Sequence, residues 1–216
     1  MKKGFIFDLD GVIVDTAHFH YNSWRKTAEQ LGFELTIQHN EKLKGVSRIE
    51  SLNRILDWAQ KEVSQDTFQQ LMFEKNEDYL RQVVQMTASD ILPGVFNILN
   101  KLKSKGYGIA LGSASKNAPL ILEKVGLSSF FNVIVDGNRV IKAKPDPEVF
   151  IVAAQQLGVI NSQCVVFEDA EAGIEAANTA GMISVGLGNS DNLEHAKYVF
   201  QSFESIELTF LEQLTT

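Results

Sequence analysis

The stretch Gly4-Phe5-Ile6-Phe7-Asp8-Leu9-Asp10-Gly11-Val12 constrains the fold more than any other part of the chain. Its opening is apolar without alternation, the pattern of a buried strand. It ends abruptly in two carboxylates one residue apart, followed by a glycine. Residues i and i+2 of a strand point to one side, so Asp8 and Asp10 are expected to emerge together from the strand's C-terminal end. Open α/β sheets hold their ligands at that end. Carboxylates so placed repel one another unless a cation or a shared proton intervenes. The position points to a magnesium-dependent phosphoryl-transfer site.

Downstream the pattern becomes helical. Residues 17–31 read as a helix closed by Gly32. Ser47-Arg48-Ile49-Glu50 has the form of a capping box, opening a helix with Ile49, Leu52, Ile55, Leu56 and Ala59 on one stripe. A further helix over 64–84 places Phe68, Leu71, Met72, Tyr79, Leu80 and Val83 on another. No strand is expected between about residue 16 and residue 85, which makes this a helical block inserted after the first strand. Beyond Pro93-Gly94, short apolar strands at 107–111, 132–135, 164–167 and 183–185 alternate with helices at 95–102, 120–124, 148–157 and 173–180. A strand at 198–200 and a helix near 206–214 finish the chain. Such alternation predicts a doubly wound parallel sheet. The expected division is an α/β core of residues 1–15 and 88–216 with an all-helical cap of residues 16–87.

Composition narrows the function. A net charge of −7 argues against sequence-independent nucleic-acid binding, which needs a basic face. The single cysteine, Cys164, allows no intrachain disulfide and reads as an inert core thiol. Asp8 breaks the first apolar run too early for a secretory leader. No stretch approaches the about 20 apolar residues of a membrane span. A soluble, cytoplasmic protein with no membrane contact is expected, and a monomer, since no long apolar stripe asks for a partner. Trp24, Trp58 and the phenylalanines read as core.

Four polar clusters follow strands: Asp8 with Asp10, Ser113-Ala114-Ser115-Lys116-Asn117, Lys144 before Pro145, and Glu168-Asp169. In a parallel sheet they converge on one edge. Carboxylates suit a hard cation such as Mg²⁺, a lysine and a hydroxyl suit phosphate oxygens, and an aspartate can be a phosphoryl-accepting nucleophile. The order Asp-x-Asp-Gly, Ser, Lys-Pro, Glu-Asp resembles the haloacid dehalogenase superfamily of phosphotransferases. That resemblance implies a Rossmann-like core with a helical cap inserted after the first motif. His20, the loop Leu43-Lys44-Gly45-Val46-Ser47-Arg48, Lys75-Asn76 and the Ser113–Asn117 run further resemble the superfamily's sugar-phosphate mutases.

The resemblance implies roles. Asp8 would carry the phosphoryl group, and Asp10 would be the general acid and base, with a pKa raised towards neutrality. Ser113 and Lys144 would hold the transferring group. Mg²⁺ would bind Asp8, the Asp10 backbone carbonyl and Asp169, with Glu168 assisting. Arg48, Ser115, Lys116 and Asn117 would grip a second phosphate, and Lys44, Gly45, Val46, Ser51, His20 and Lys75 would complete the sugar site. Thr16 would pair with Asp10 when the cap is open. The implied reaction interconverts β-D-glucose 1-phosphate and β-D-glucose 6-phosphate, with glucose 1,6-bisphosphate as intermediate and activator. Plainer readings stand beside these: Glu168 as a helix N-terminal acid, Asn117 and Ser113 as helix caps, Gly45 as a turn glycine, Arg48, Lys144 and Lys75 as solvated cations, His20 as a structural histidine. A phosphatase acting on a hexose phosphate, or more remotely a non-catalytic sugar-phosphate sensor, are the alternative functions.

Overall fold

The computed structural model describes residues 3–214. Among them, β1 (Gly4–Phe7), β2 (Gly108–Gly112), β3 (Val133–Val135), β4 (Cys164–Glu168), β5 (Ile183–Leu187) and β6 (Tyr198–Phe200) form one sheet in the order β3-β2-β1-β4-β5-β6. Every pairing is parallel. The chain runs outward from β1 to β3, then returns to β4 on β1's other side. The strand order therefore reverses between β1 and β4, where sheets of this kind open a crevice.

Both faces of the sheet are buried, which is why its strands are apolar without alternation. Phe5, Phe7, Val165 and Phe167 enter one core cluster, and Ile6, Ala110, Cys164 and Val166 the other. The first is aromatic: the Phe167 ring lies 4.8 Å from Phe7 and 5.2 Å from Phe203, centroid to centroid. Around the sheet lie α5 (Val95–Ser104), α6 (Ala118–Lys124), α7 (Glu148–Leu157), α8 (Glu171–Thr179) and α9 (Leu208–Gln213). Cys164 is buried, and burial pushes its thiol up to about 11.

The helical insert comprises α1 (Ala17–Gln30), α2 (Ile37–Glu41), α3 (Arg48–Ala59) and α4 (Gln65–Val83). It has its own small core, built on Trp24, Leu35, Leu52, Ile55, Leu56 and Leu71. Helices α1 and α4 are tied by Lys26 to Asp78 at 2.7 Å and by Gln82 to Ser23 at 3.2 Å. The two segments joining insert to core run side by side as a neck. Asp15 N–H donates to Asp90 O at 3.1 Å, and Leu92 N–H to Ile13 O at 3.0 Å.

Several local expectations change. The first strand ends at Phe7, and Leu9–Val14 is a buried turn in which Ile13 and Val14 N–H both donate to Leu9 O. Helix α2 is too short to show a period in sequence; Thr36 and His39 form its capping box. At α3 the box is only half made: Ser47 accepts from Glu50 N–H, but the Glu50 carboxylate turns to Arg54 at 3.1 Å. Ile49 and Phe73, expected in cores, are 54% and 61% exposed because they project beyond the small cap core into the cleft described below. Phe96 is also exposed, edge-on to Phe130, and Trp58 is only partly buried against the cap core.

Truncating the fully buried ring in Phe167→Ala is expected to cost about 3–5 kcal/mol. The check is a fall in the urea midpoint at unchanged slope. A loss below about 1 kcal/mol would mean that β1 and β4 do not share the packing described.

Candidate active site

Register builds the floor of the cleft. Phe7 sits beside Phe167, so the residues that follow, Asp8 and Glu168, leave adjacent strands together. Lys144, from the loop between β3 and α7, lies between them: its Nζ donates to Asp8 Oδ1 at 2.6 Å and to Glu168 Oε1 at 2.5 Å. It is 3% exposed and stacks 4.7 Å over the Phe150 ring, so it is no solvated loop lysine. Its loop is held in turn by Glu148, whose carboxylate accepts N–H bonds from Ile141 and Lys142. The second oxygen of Glu168 accepts from the N–H groups of Asp169 and Ala170 at 2.9 and 3.0 Å, which fixes the turn into α8. Ser113, buried just past β2, accepts from Ser115 N–H at 3.0 Å.

The charges here do not balance. Carboxylate oxygens of Asp8, Glu168 and Asp169 lie within 4.8 Å of one another; the Lys144 ammonium is shared by the first two, and Lys44, already paired with Glu41, comes only to 4.0 Å of the third. Burial, then the charges of Glu168 and Asp10, drive Asp8 up to about 8 against the opposing pull of Lys144. Asp169 is raised by burial and by Glu168 and Asp8. Burial alone would lower Lys144, but the charges of Asp8 and Glu168 raise it. Excess negative charge on hard oxygen donors fits a divalent cation. With both Glu168 oxygens engaged, Asp8 and Asp169 are the side chains free to ligate. Gly11 makes room for them: its φ is +78°, and a Cβ there would strike the Asp169 carboxylate.

Asp10 belongs to a different environment. The turn after β1 aims its carboxylate away from the acidic group, towards the Thr16 hydroxyl, which donates to it, and His20 Nε2 at 3.6 Å. Burial would raise its pKa; the His20 ring, the Thr16 hydroxyl and the Lys75 charge outweigh burial and lower it. The expected upward shift is therefore reversed in this arrangement. His20 Nδ1 contacts Lys75 Nζ at 3.1 Å. Lys75 is 3% exposed, stacked on Trp24 and Tyr79, and lowered to about 7 by burial and the Arg48 charge. Burial, then Lys75, lowers His20. Buried His20 Nε2 and the Tyr79 hydroxyl have no hydrogen-bond partner among the described residues.

The remaining expected residues line the same cavity of about 680 Å³. Lys44 pairs with Glu41 at 2.9 Å and approaches Asp169 at 4.0 Å. Gly45 is more than a turn glycine: at φ +72°, a Cβ would meet Ala170 of the core at 3.0 Å. Val46 and Ser51 lie on the cap wall, the Ser51 hydroxyl donating to Ser47 O. Arg48, in the first turn of α3, has no carboxylate partner among the described residues. Ser115, Lys116 and Asn117 lie on the core wall at the start of α6. Asn117 makes no side-chain bond to its own helix; its amide donates to Asn76 Oδ1 of α4 at 3.1 Å. Glu168 and Thr16, both fully buried, lie behind the cavity rather than in its wall. Tyr79, which its helical spacing marks as core, and Trp24, which also reads as core, reach the cavity too.

The sequence profile of haloacid dehalogenase-like hydrolases matches residues 5–187. The chain belongs to the haloacid dehalogenase-like hydrolase family. Within that family it is 41% identical to the β-phosphoglucomutase of Bacillus subtilis (strain 168), over 98% of this chain and 94% of that one. The crystal structure of a Clostridium difficile β-phosphoglucomutase superposes with a TM-score of 0.95 at 42% identity, covering 100% of this chain and 97% of the other. A phosphorylated carbohydrates phosphatase of Thermotoga maritima is 30% identical over 82% of this chain and 81% of its own. The family's parallel core with an inserted helical cap is the architecture described above.

Without a cation, burial and the neighbouring carboxylates make Asp8 and Asp169 bind protons more tightly in the folded state than in the unfolded chain. That contribution to stability is full below about pH 4 and declines as pH rises, for Asp8 towards about 8. Added Mg²⁺ at a hundredfold excess over Kd is expected to raise the melting temperature by roughly 5–10 °C at pH 8. At pH 5 the rise should be much smaller, because cation and protons compete for the same oxygens. Thermal melts of the Asp169→Asn variant should show little response at either pH; an undiminished response would place the cation elsewhere.

Proposed function

We propose that this chain has the activity of its β-phosphoglucomutase relatives and interconverts β-D-glucose 1-phosphate and β-D-glucose 6-phosphate. The observation that carries the reading is the pair of separate anion grips in one cleft. Lys144 and Ser113 stand with Asp8 on the floor; Arg48, without a carboxylate partner among the described residues, and the Ser115–Asn117 run line the same cleft. A hydrolase of simple phosphate esters needs only the first grip, whereas a sugar phosphorylated at both ends uses both.

In this reading the phosphoryl group on Asp8 passes to a sugar hydroxyl while Asp10 accepts that hydroxyl's proton. Glucose 1,6-bisphosphate then turns end for end, Asp8 attacks the other phosphorus, and Asp10 returns the proton to the leaving oxygen. The lowered pKa of Asp10 suits this order: it enters as a base, and its acid form is made by the substrate rather than by solvent. Bisphosphate also recharges Asp8, hence its role as activator. A magnesium ion held by Asp8, Asp169 and the Asp10 backbone carbonyl, with Glu168 assisting through Lys144, would supply positive charge against the phosphoryl oxygens. His20 and Tyr79 stand in the cavity wall, where His20 Nε2 lies 3.6 Å from Asp10 and would help to orient it. Lys44, Gly45, Val46, Ser51 and Lys75 complete the cap side of the sugar site. We place the cap at residues 16–87 and the core at 1–15 and 88–216. A cytoplasmic location accords with a lone cysteine and with the absence of any described helix long and apolar enough to cross a membrane, and the monomer reading rests on the lack of a long apolar stripe in the sequence.

Purified protein supplied with Mg²⁺, β-glucose 1-phosphate and a trace of bisphosphate should yield stoichiometric glucose 6-phosphate with no inorganic phosphate. Phosphate release in its place would make the chain a phosphatase. Asp8→Ala should lower turnover by at least about 10⁴-fold and Asp10→Asn by about 10²–10⁴-fold. Binding of the sugar phosphate with no turnover by the unaltered protein would leave only a sensor.

A further inference from the structure

The hydrogen bond from Asn117 to Asn76 crosses from the core wall of the cleft to the cap wall. We propose that Asn76 is a positioning residue: its side-chain oxygen holds the Asn117 amide so that the second N–H is presented to the substrate's distal phosphate. The inference rests on the reading of Ser115–Asn117 as the second-phosphate grip.

A primary amide carries two N–H donors on one side and a carbonyl acceptor on the other. The two orientations are nearly equal in shape, so the surroundings decide which one is adopted. At Asn117 the helix itself does not decide, since the side chain makes no capping bond to α6. The loop's backbone is held from the core: Gly137 N–H donates to Ser115 O at 3.3 Å and Asn138 Nδ2 to Lys116 O at 3.1 Å. The amide orientation is set from the cap, by the Asn76 acceptor. With one N–H on Asn76, the other is free for an anion. With that acceptor gone, the amide can turn its carbonyl towards the phosphate, where two acceptors repel. Because Asn76 sits on α4, the core's half of the grip is complete only while the cap is seated at this distance.

The experiment compares Asn76→Leu, Asn117→Ala and the double variant with the unaltered protein. Asn76→Leu keeps the side-chain volume and removes the acceptor; Asn76→Ala replaces it if the leucine variant does not fold. The expected result is a rise of about tenfold in KM for β-glucose 1-phosphate with kcat changed less than about threefold. Phosphorylation of Asp8 by acetyl phosphate, which has no distal phosphate, should proceed at an unchanged rate. In the double variant, loss of Asn76 should add nothing to loss of Asn117. An unchanged KM, an equal loss with acetyl phosphate, or additive effects in the double variant would each overturn the proposal. The identity of the product, glucose 6-phosphate or inorganic phosphate, tests the proposed reaction separately, because the KM comparison holds for either product.

Discussion

One buried ammonium supports the floor of the cleft. In-register pairing of β1 with β4 delivers Asp8 and Glu168 side by side, and two like charges removed from water cost several kcal/mol each unless they are neutralised. Lys144 offsets them in part from a third stretch of chain, and Glu168 passes the constraint on to the backbone of Asp169 and Ala170. The ends of two strands, the loop before α7 and the turn into α8 are thereby fixed relative to one another. Removing Lys144 alone would leave both buried carboxylates without their shared cation.

Asp8 and Asp10 are two residues apart and lie at opposite electrostatic extremes. The first faces other carboxylates and is driven up; the second faces a hydroxyl, an imidazole and an ammonium and is driven down. The turn after β1 causes the divergence, since an uninterrupted strand would have aimed both side chains into one environment. Carboxylates with their pKa values forced apart are the physical basis for dividing two chemical roles between them. Three of the groups that lower Asp10 or stand beside it, His20, Lys75 and Tyr79, come from the insert, so the electrostatics of the core depend on helices that contribute no strand to it.

Much of this was legible in the sequence because it depends on local signals. Unbroken apolar runs marked the buried strands, and glycines just beyond the last apolar position closed several helices, as at Gly158, the residue capping α7 in the left-handed conformation. Polar clusters directly after strands marked the residues of the floor. What was illegible depends on contacts between distant segments. Helical spacing alone cannot separate Tyr79, which reaches the cavity, from residues that only fill the cap core, and a tryptophan's size does not do so for Trp24. Ile49 likewise matches an apolar stripe until the small size of the cap core is known. The downward shift of Asp10 could not be read from its own motif, because the groups that cause it lie elsewhere in the chain. The short helix α2 is missed for a simpler reason: one turn carries no period.

The paired neck has a consequence for how such a protein can change. The insert leaves the core and returns to it through two segments bonded to each other, at Asp15 with Asp90 and Ile13 with Leu92. Chain ends that meet in this way let a domain be inserted, lengthened or exchanged with little disturbance of its host. The sheet therefore registers only that the neck is closed, not what lies above it. Selection can rework the upper wall of the cleft, and with it the choice of molecule admitted, while the reactive floor keeps its register unchanged.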